Sequence, residues 1–106
     1  MKSIYLACPY WHEDPEVREE RYVKVNKQAG LYMKEGLIVF SPISHSHPIS
    51  LTMDNQDHSF WLEQDYYWLD KCDELWVFTL PGWEVSFGVS KEIKRAKSTG
   101  KTVRFV

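Results

Sequence analysis

The sequence predicts an α/β domain, a parallel sheet of about four strands with helices on both faces. Three observations predict it. The apolar runs "SIYLA", "LIVF" and "ELWVFTL" are short and almost free of charge, as strands buried on both sides must be. Longer stretches between them carry helix-start and helix-stop residues. The two kinds alternate as βαβαβαβ, the order that parallel strands joined by crossovers require.

The elements follow in order. Ser3 to Ala7 is the first strand. In the next stretch Asp14 can cap a helix, Pro15 suits its first turn, and Glu13, Glu16, Glu19 and Glu20 favour the positive end of its dipole. Tyr22, Val25, Ala29 and Tyr32 form one apolar stripe, and Gly36 is a fitting stop. Leu37 to Phe40 is the second strand, ended by Ser41-Pro42. "SPISHSHPISLTMDNQDHS" then reads as a long polar loop, and a loop of that length in a small domain is usually functional. "HSFWLEQDYYWLDKC" is the second helix and "ELWVFTL" the third strand; "SFGVSKEIKRAKSTG" is the third helix and "KTVRFV" the fourth strand. By analogy with flavodoxin-like sheets, the expected fold is a three-layer, Rossmann-like one with strand order 2-1-3-4.

The 106 residues make one domain, 1–106, with a core but no room for a second. Thirteen Lys and Arg against 15 Asp and Glu, interspersed, provide no basic face for a nucleic-acid polymer. Cys8 and Cys72 read as reduced core residues. The apolar segment at the N-terminus is too short for a signal peptide, and no run approaches the ~18 apolar residues of a membrane span. The expected location is the cytoplasm. Aromatic residues reach 15%, more than one small core takes in, which points to a binding cleft or a subunit interface.

In such a sheet the strand carboxyl ends share one rim, where ligands bind. That rim receives the segments after Tyr5, after Ser41 and after Pro81. Three groups of residues stand out there. Ser86 and Gly88 open a helix whose free N–H groups favour an anion, with Glu92 about one turn in; a plain Ser cap with an exposed Glu is the simpler alternative. Asp65 sits on an aromatic helix near the rim, where a carboxyl can bind a ligand or pass a proton, unless it faces solvent. His45 and His47, with His12, His58 or Asp57, fix no third metal ligand, so the loop histidines are expected to hydrogen-bond the chain or a ligand. Neither a metal nor a cofactor is expected.

"IYLACPY", "DYYWLDKCDELWVF" and "SFGVSKEIKRAKSTGKTV" together resemble the nucleoside 2-deoxyribosyltransferase superfamily over nearly the whole chain. The combination "YLACPY…VFSPISHSHPI…LPGWEVSFGVSKEI" resembles more narrowly the family known as domain of unknown function 1937. The resemblance implies action on the N-glycosidic bond of a nucleoside or nucleoside 5′-monophosphate, by hydrolysis or transfer. It places the nucleophile on Glu92, a supporting Tyr on Tyr5, and the group serving the leaving base on Asp65, eight residues before Asp73. The transferases carry an acidic residue six positions before the nucleophile; here that position is Ser86, as in the monophosphate hydrolases, where it binds phosphate. His45 is a second candidate proton donor, and Trp83 or Trp11 a candidate stacking surface for the base.

Two departures accompany the resemblance. The Gly- and Arg-bearing phosphate loop of the hydrolases is replaced by "CPYWHEDPEVR", leaving Arg18 or Arg21 to supply a cation. Val106 follows directly on the fourth strand, where relatives continue into a segment completing a neighbouring subunit's site. The alternatives to an enzyme are a noncatalytic nucleotide-binding module and a protein-interaction domain. A homodimer or higher homo-oligomer is expected, because Trp61, Tyr66, Tyr67 and Trp68 cannot all face one core.

Overall fold

The structure, a computed structural model, describes residues 2–106. Its elements are β1 (Ser3–Ala7), α1 (Pro15–Lys34), β2 (Ile38–Phe40), α2 (Pro42–Ser50), α3 (His58–Lys71), β3 (Glu74–Val77), a short 3-10 turn (Trp83–Val85), α4 (Phe87–Ser98) and β4 (Thr102–Phe105). The four strands form one parallel sheet in the order β2-β1-β3-β4. The expected Rossmann-like architecture and strand order are both observed.

Side chains alternate across the sheet and divide the core in two. Tyr5 and Ala7 of β1 join Leu75 and Val77 of β3 beneath Leu69 of α3 and Val89 and Ala96 of α4. Ile4 and Leu6 point the other way, with Trp76, and pack on Val25 and Ala29 of α1. Burying such a Leu or Ile contributes about 1.5–3 kcal/mol each, so β1, buried on both faces, anchors the domain. At its start Asp73 accepts hydrogen bonds from the Ser3 N–H at 2.8 Å and the Ser3 hydroxyl at 3.2 Å. Asp73 therefore clamps the entry of β3 to the entry of β1.

The expected cap of α1 is present, with the Asp14 side chain accepting from the Glu16 N–H at 2.9 Å. Gly36 follows the helix with φ of 93°, a left-handed conformation suited to glycine.

One expectation is corrected. The segment after β2 is not a polar loop throughout, because Pro42 to Ser50 forms α2. Ser41 caps it, accepting from the Ser44 N–H at 3.4 Å, and Pro42 fills the first turn, where its missing N–H costs nothing. Pro48 lies inside the helix and, with the serines and histidines, erases the usual helical signal. Only residues 51–57 remain irregular before α3.

Candidate functional site

Three segments leave the carboxyl ends of β1, β2 and β3 and, with α3, enclose a cavity of about 420 Å³. That size suits a ligand of nucleoside dimensions. Its walls include Cys8, Tyr10 and Trp11 after β1, Ile43, Ser46 and His47 of α2, Trp61, Leu62 and Asp65 of α3, and Ser86, Phe87, Gly88 and Glu92 around the start of α4.

Glu92 reaches the cavity by the helical period. Val89, Glu92 and Ala96 form the buried stripe of α4, so a carboxyl stands where packing calls for an apolar side chain. It is only 4% exposed. A buried carboxyl of this kind needs a partner to offset its lost hydration. The partner is Tyr5, whose hydroxyl donates to Glu92 Oε2. Tyr5 is itself fully buried and belongs to the core, so it supports Glu92 from behind and does not line the cavity.

Asp65 enters from α3 by the same logic, on the face that carries Trp61, Leu62 and Leu69. Burial raises its carboxyl far above the ordinary carboxylate range. Burial also raises Glu92, the nearby Asp65 charge adds to the rise, and the Tyr5 hydrogen bond opposes it. The two carboxyls thus form a coupled pair that cannot easily hold two negative charges. Of the two, only Glu92 accepts a hydrogen bond that favours its charged form. Tyr5 is held neutral, its phenol raised by burial first and by Glu92 and Asp65 next. Cys8 is pushed up to about 12 by burial and the Glu92 charge, which leaves an inert thiol.

Ser86 caps α4, its hydroxyl oxygen accepting from the Val89 N–H at 3.3 Å, and its side chain lines the cavity beside Gly88. The capping bond uses the oxygen and leaves the hydroxyl hydrogen available. Among the described residues, nothing in the chain accepts from the N–H groups of Phe87 and Gly88. Among the described residues, the cavity wall contains no Lys or Arg. Arg21 instead donates to the carbonyls of Tyr10, Trp11 and Pro81 at 3.3, 3.1 and 3.1 Å, tying the loop after β1 to the loop after β3. Arg18 donates to the His12 carbonyl and lies over the Trp11 ring. Both candidate cations are loop staples.

The remaining candidates separate. Trp11 is 62% exposed at the cavity wall, available for stacking. Trp83 is not there; it packs on the core and on Phe105, with ring centroids 5.2 Å apart. His45 turns away from the cavity toward Phe40 and a shallow groove bordered by α1. His47, two positions on, takes the opposite direction and is buried on the cavity side. Two residues apart on a helix do not share a face, which divides the histidine pair. Among the described residues, no three His, Cys, Asp or Glu side chains gather as a metal-ligand set.

Sequence reasoning passed over Tyr10 and the buried setting of His47. Tyr10 Oη lies 2.7 Å from His47 Nδ1, and His47 Nε2 lies 2.7 Å from Glu19 Oε2. The expectation that the loop histidines hydrogen-bond the chain holds for His47, while Glu19 carries no signal in the sequence beyond its charge near the start of α1.

Comparison with curated proteins finds no match. The family described as Domain of unknown function (DUF1937) matches residues 2–106, nearly the entire chain. The chain belongs to the DUF1937 family.

Proposed function

We propose that this protein cleaves the N-glycosidic bond of a nucleoside or nucleoside 5′-monophosphate through a covalent intermediate on Glu92, as the resemblance to nucleoside 2-deoxyribosyltransferases implies. The observation that carries the reading is the presence of two carboxyls in the rim cavity, Glu92 held by the Tyr5 hydroxyl and Asp65 near enough for its charge to raise Glu92. A retaining glycosidase needs one carboxylate as nucleophile and one carboxylic acid as proton donor. A pair that shares one proton supplies both.

In the first step a Glu92 carboxylate oxygen attacks C1′, the C1′–N bond breaks, and the Asp65 proton goes to the departing base. In the second, water attacks C1′, the bond to Glu92 breaks, and the water proton returns to Asp65. A second base in place of water gives transfer. Trp11 stacks on the base. The Ser86 hydroxyl and the free N–H groups of Phe87 and Gly88 receive an anionic group such as a 5′-phosphate. No step calls for a cofactor, and the working form is a homo-oligomer.

The direct test is to incubate the protein with ribo- and deoxyribonucleosides and their 5′-monophosphates and to follow free base by chromatography. Release from at least one class is expected. No release from any of them, with protein shown to be folded, would remove the enzymatic reading.

A further inference from the structure

On the wall formed by α2 and the loop after β1, His47 has both ring nitrogens engaged. Nε2 meets the Glu19 carboxylate and Nδ1 meets the Tyr10 hydroxyl, each at 2.7 Å. Tyr22 stacks on the imidazole at 4.2 Å between centroids, and the residue is only 5% exposed, so the ring has little freedom to turn. A carboxylate can only accept, so with the imidazole neutral the hydrogen must sit on Nε2. Nδ1 is then a bare acceptor, and the Tyr10 hydrogen is committed to it. The Ser50 hydroxyl beside Tyr10 donates to the His47 carbonyl at 2.7 Å, so what Tyr10 offers the cavity is its oxygen lone pairs.

We propose that Tyr10, held by His47 and Glu19, is an acceptor-only phenol that selects ligands presenting a hydrogen-bond donor to that wall. The proposal rests on the reading above that the cavity takes a nucleoside. Nucleosides offer two donors of this chemistry, the exocyclic amino group of the base and a sugar hydroxyl. A ligand with an oxo group at that place would set one acceptor against another, and a ligand with hydrogen there would leave the phenol oxygen to water. Tyr10 is the selecting group; His47 and Glu19 are positioning residues that fix which way its hydrogen points.

The test is calorimetric binding in a Glu92→Gln background, which prevents turnover, at pH 8. The probes are matched nucleosides and their 5′-monophosphates: adenosine with inosine, cytidine with uridine, and each of the four with its 2′-deoxy counterpart. At least one donor-bearing member should bind about tenfold or more tightly than its partner, the worth of one hydrogen bond. An amino/oxo gap identifies the base as the source, and a ribo/deoxy gap identifies the sugar. The gap should shrink below about threefold in Tyr10→Phe, and likewise in Glu19→Gln, which keeps the phenol but frees the tautomer. A gap unchanged in Tyr10→Phe, or no gap in any pair, overturns this proposal while leaving the nucleoside reading standing. Failure of every probe to bind, in this background and in the unsubstituted protein, overturns both.

Discussion

Tyr5 and Glu92 form one hydrogen-bonded unit, and two predictions belong to that pair. Tyr5→Phe removes the hydrogen bond that favours the charged form of Glu92. The Glu92 carboxyl should then rise further, so the acidic limb of the pH–rate profile should move to higher pH while the alkaline limb stays put. An acidic limb that does not move would show that Tyr5 only packs. The second prediction concerns stability. Burial raises both Glu92 and Asp65 well above the ordinary carboxylate range, so from about 4.5 up to neutral pH the folded pair keeps a proton that the unfolded chain has lost. Stability must therefore fall as pH rises through that window, and it carries no such penalty below about 4.5. Glu92→Gln leaves only Asp65 to titrate and so weakens this dependence. The variant's unfolding free energy relative to the unsubstituted protein should rise by about 1.4 kcal/mol or more from pH 5 to pH 8, the worth of one pKa unit. Denaturant titrations at the two pH values measure it.

Among the elements, the strands and α1, α3 and α4 were legible because their local signals agree. Buried runs, a capped start at Asp14 and a glycine stop at Gly36 all name the same boundaries. The helix α2 was not legible, since Pro42 and Pro48 and a polar composition outweigh its Ser41 cap when only local propensity is considered. The site divides in the same way. The order of elements and the family resemblance bring Glu92 and Asp65 to the rim, and both line the cavity there. The Tyr10–His47–Glu19 contacts join three distant elements and leave no local pattern. The loops holding the rim offer a prediction at this scale. Gly82 has φ of 95°, and a Cβ there would meet Arg21 Nη2 at 2.9 Å. Gly82→Ala should cost about 1–2 kcal/mol from the left-handed backbone alone, and should also displace the Arg21 staple between the two loops. Thermal unfolding of Gly82→Ala and Arg21→Ala measures both effects. A Gly82→Ala variant as stable as the parent would contradict the strained-turn account.

For the whole molecule, the sheet places every rim segment at one end and leaves α3 and the β2 edge partly bare. Tyr67 is 56% exposed and Ile38 52%, while Trp68 stacks on Phe40 at 5.1 Å and still shows 38% of its surface. No helix among the described residues is long and apolar enough to cross a membrane. An apolar face of this kind fits a second copy of the chain, and sedimentation at micromolar concentration should give a dimer or larger, with Trp68→Lys shifting it to monomer. A stable monomer in the unsubstituted protein would count against that assembly. The fold thus brings together a buried Glu92, a half-buried Asp65, a supporting phenol and an aromatic-walled cavity from residues spread between positions 5 and 92. The most direct test of the role given to that pair is peptide mass mapping after brief incubation with a nucleoside whose base is released. The peptide containing Glu92 should carry one added glycosyl group, and Glu92→Gln should carry none while its base release falls by a factor of about 10³ or more. Base release that continues undiminished in Glu92→Gln, with no adduct on that peptide, would contradict the account.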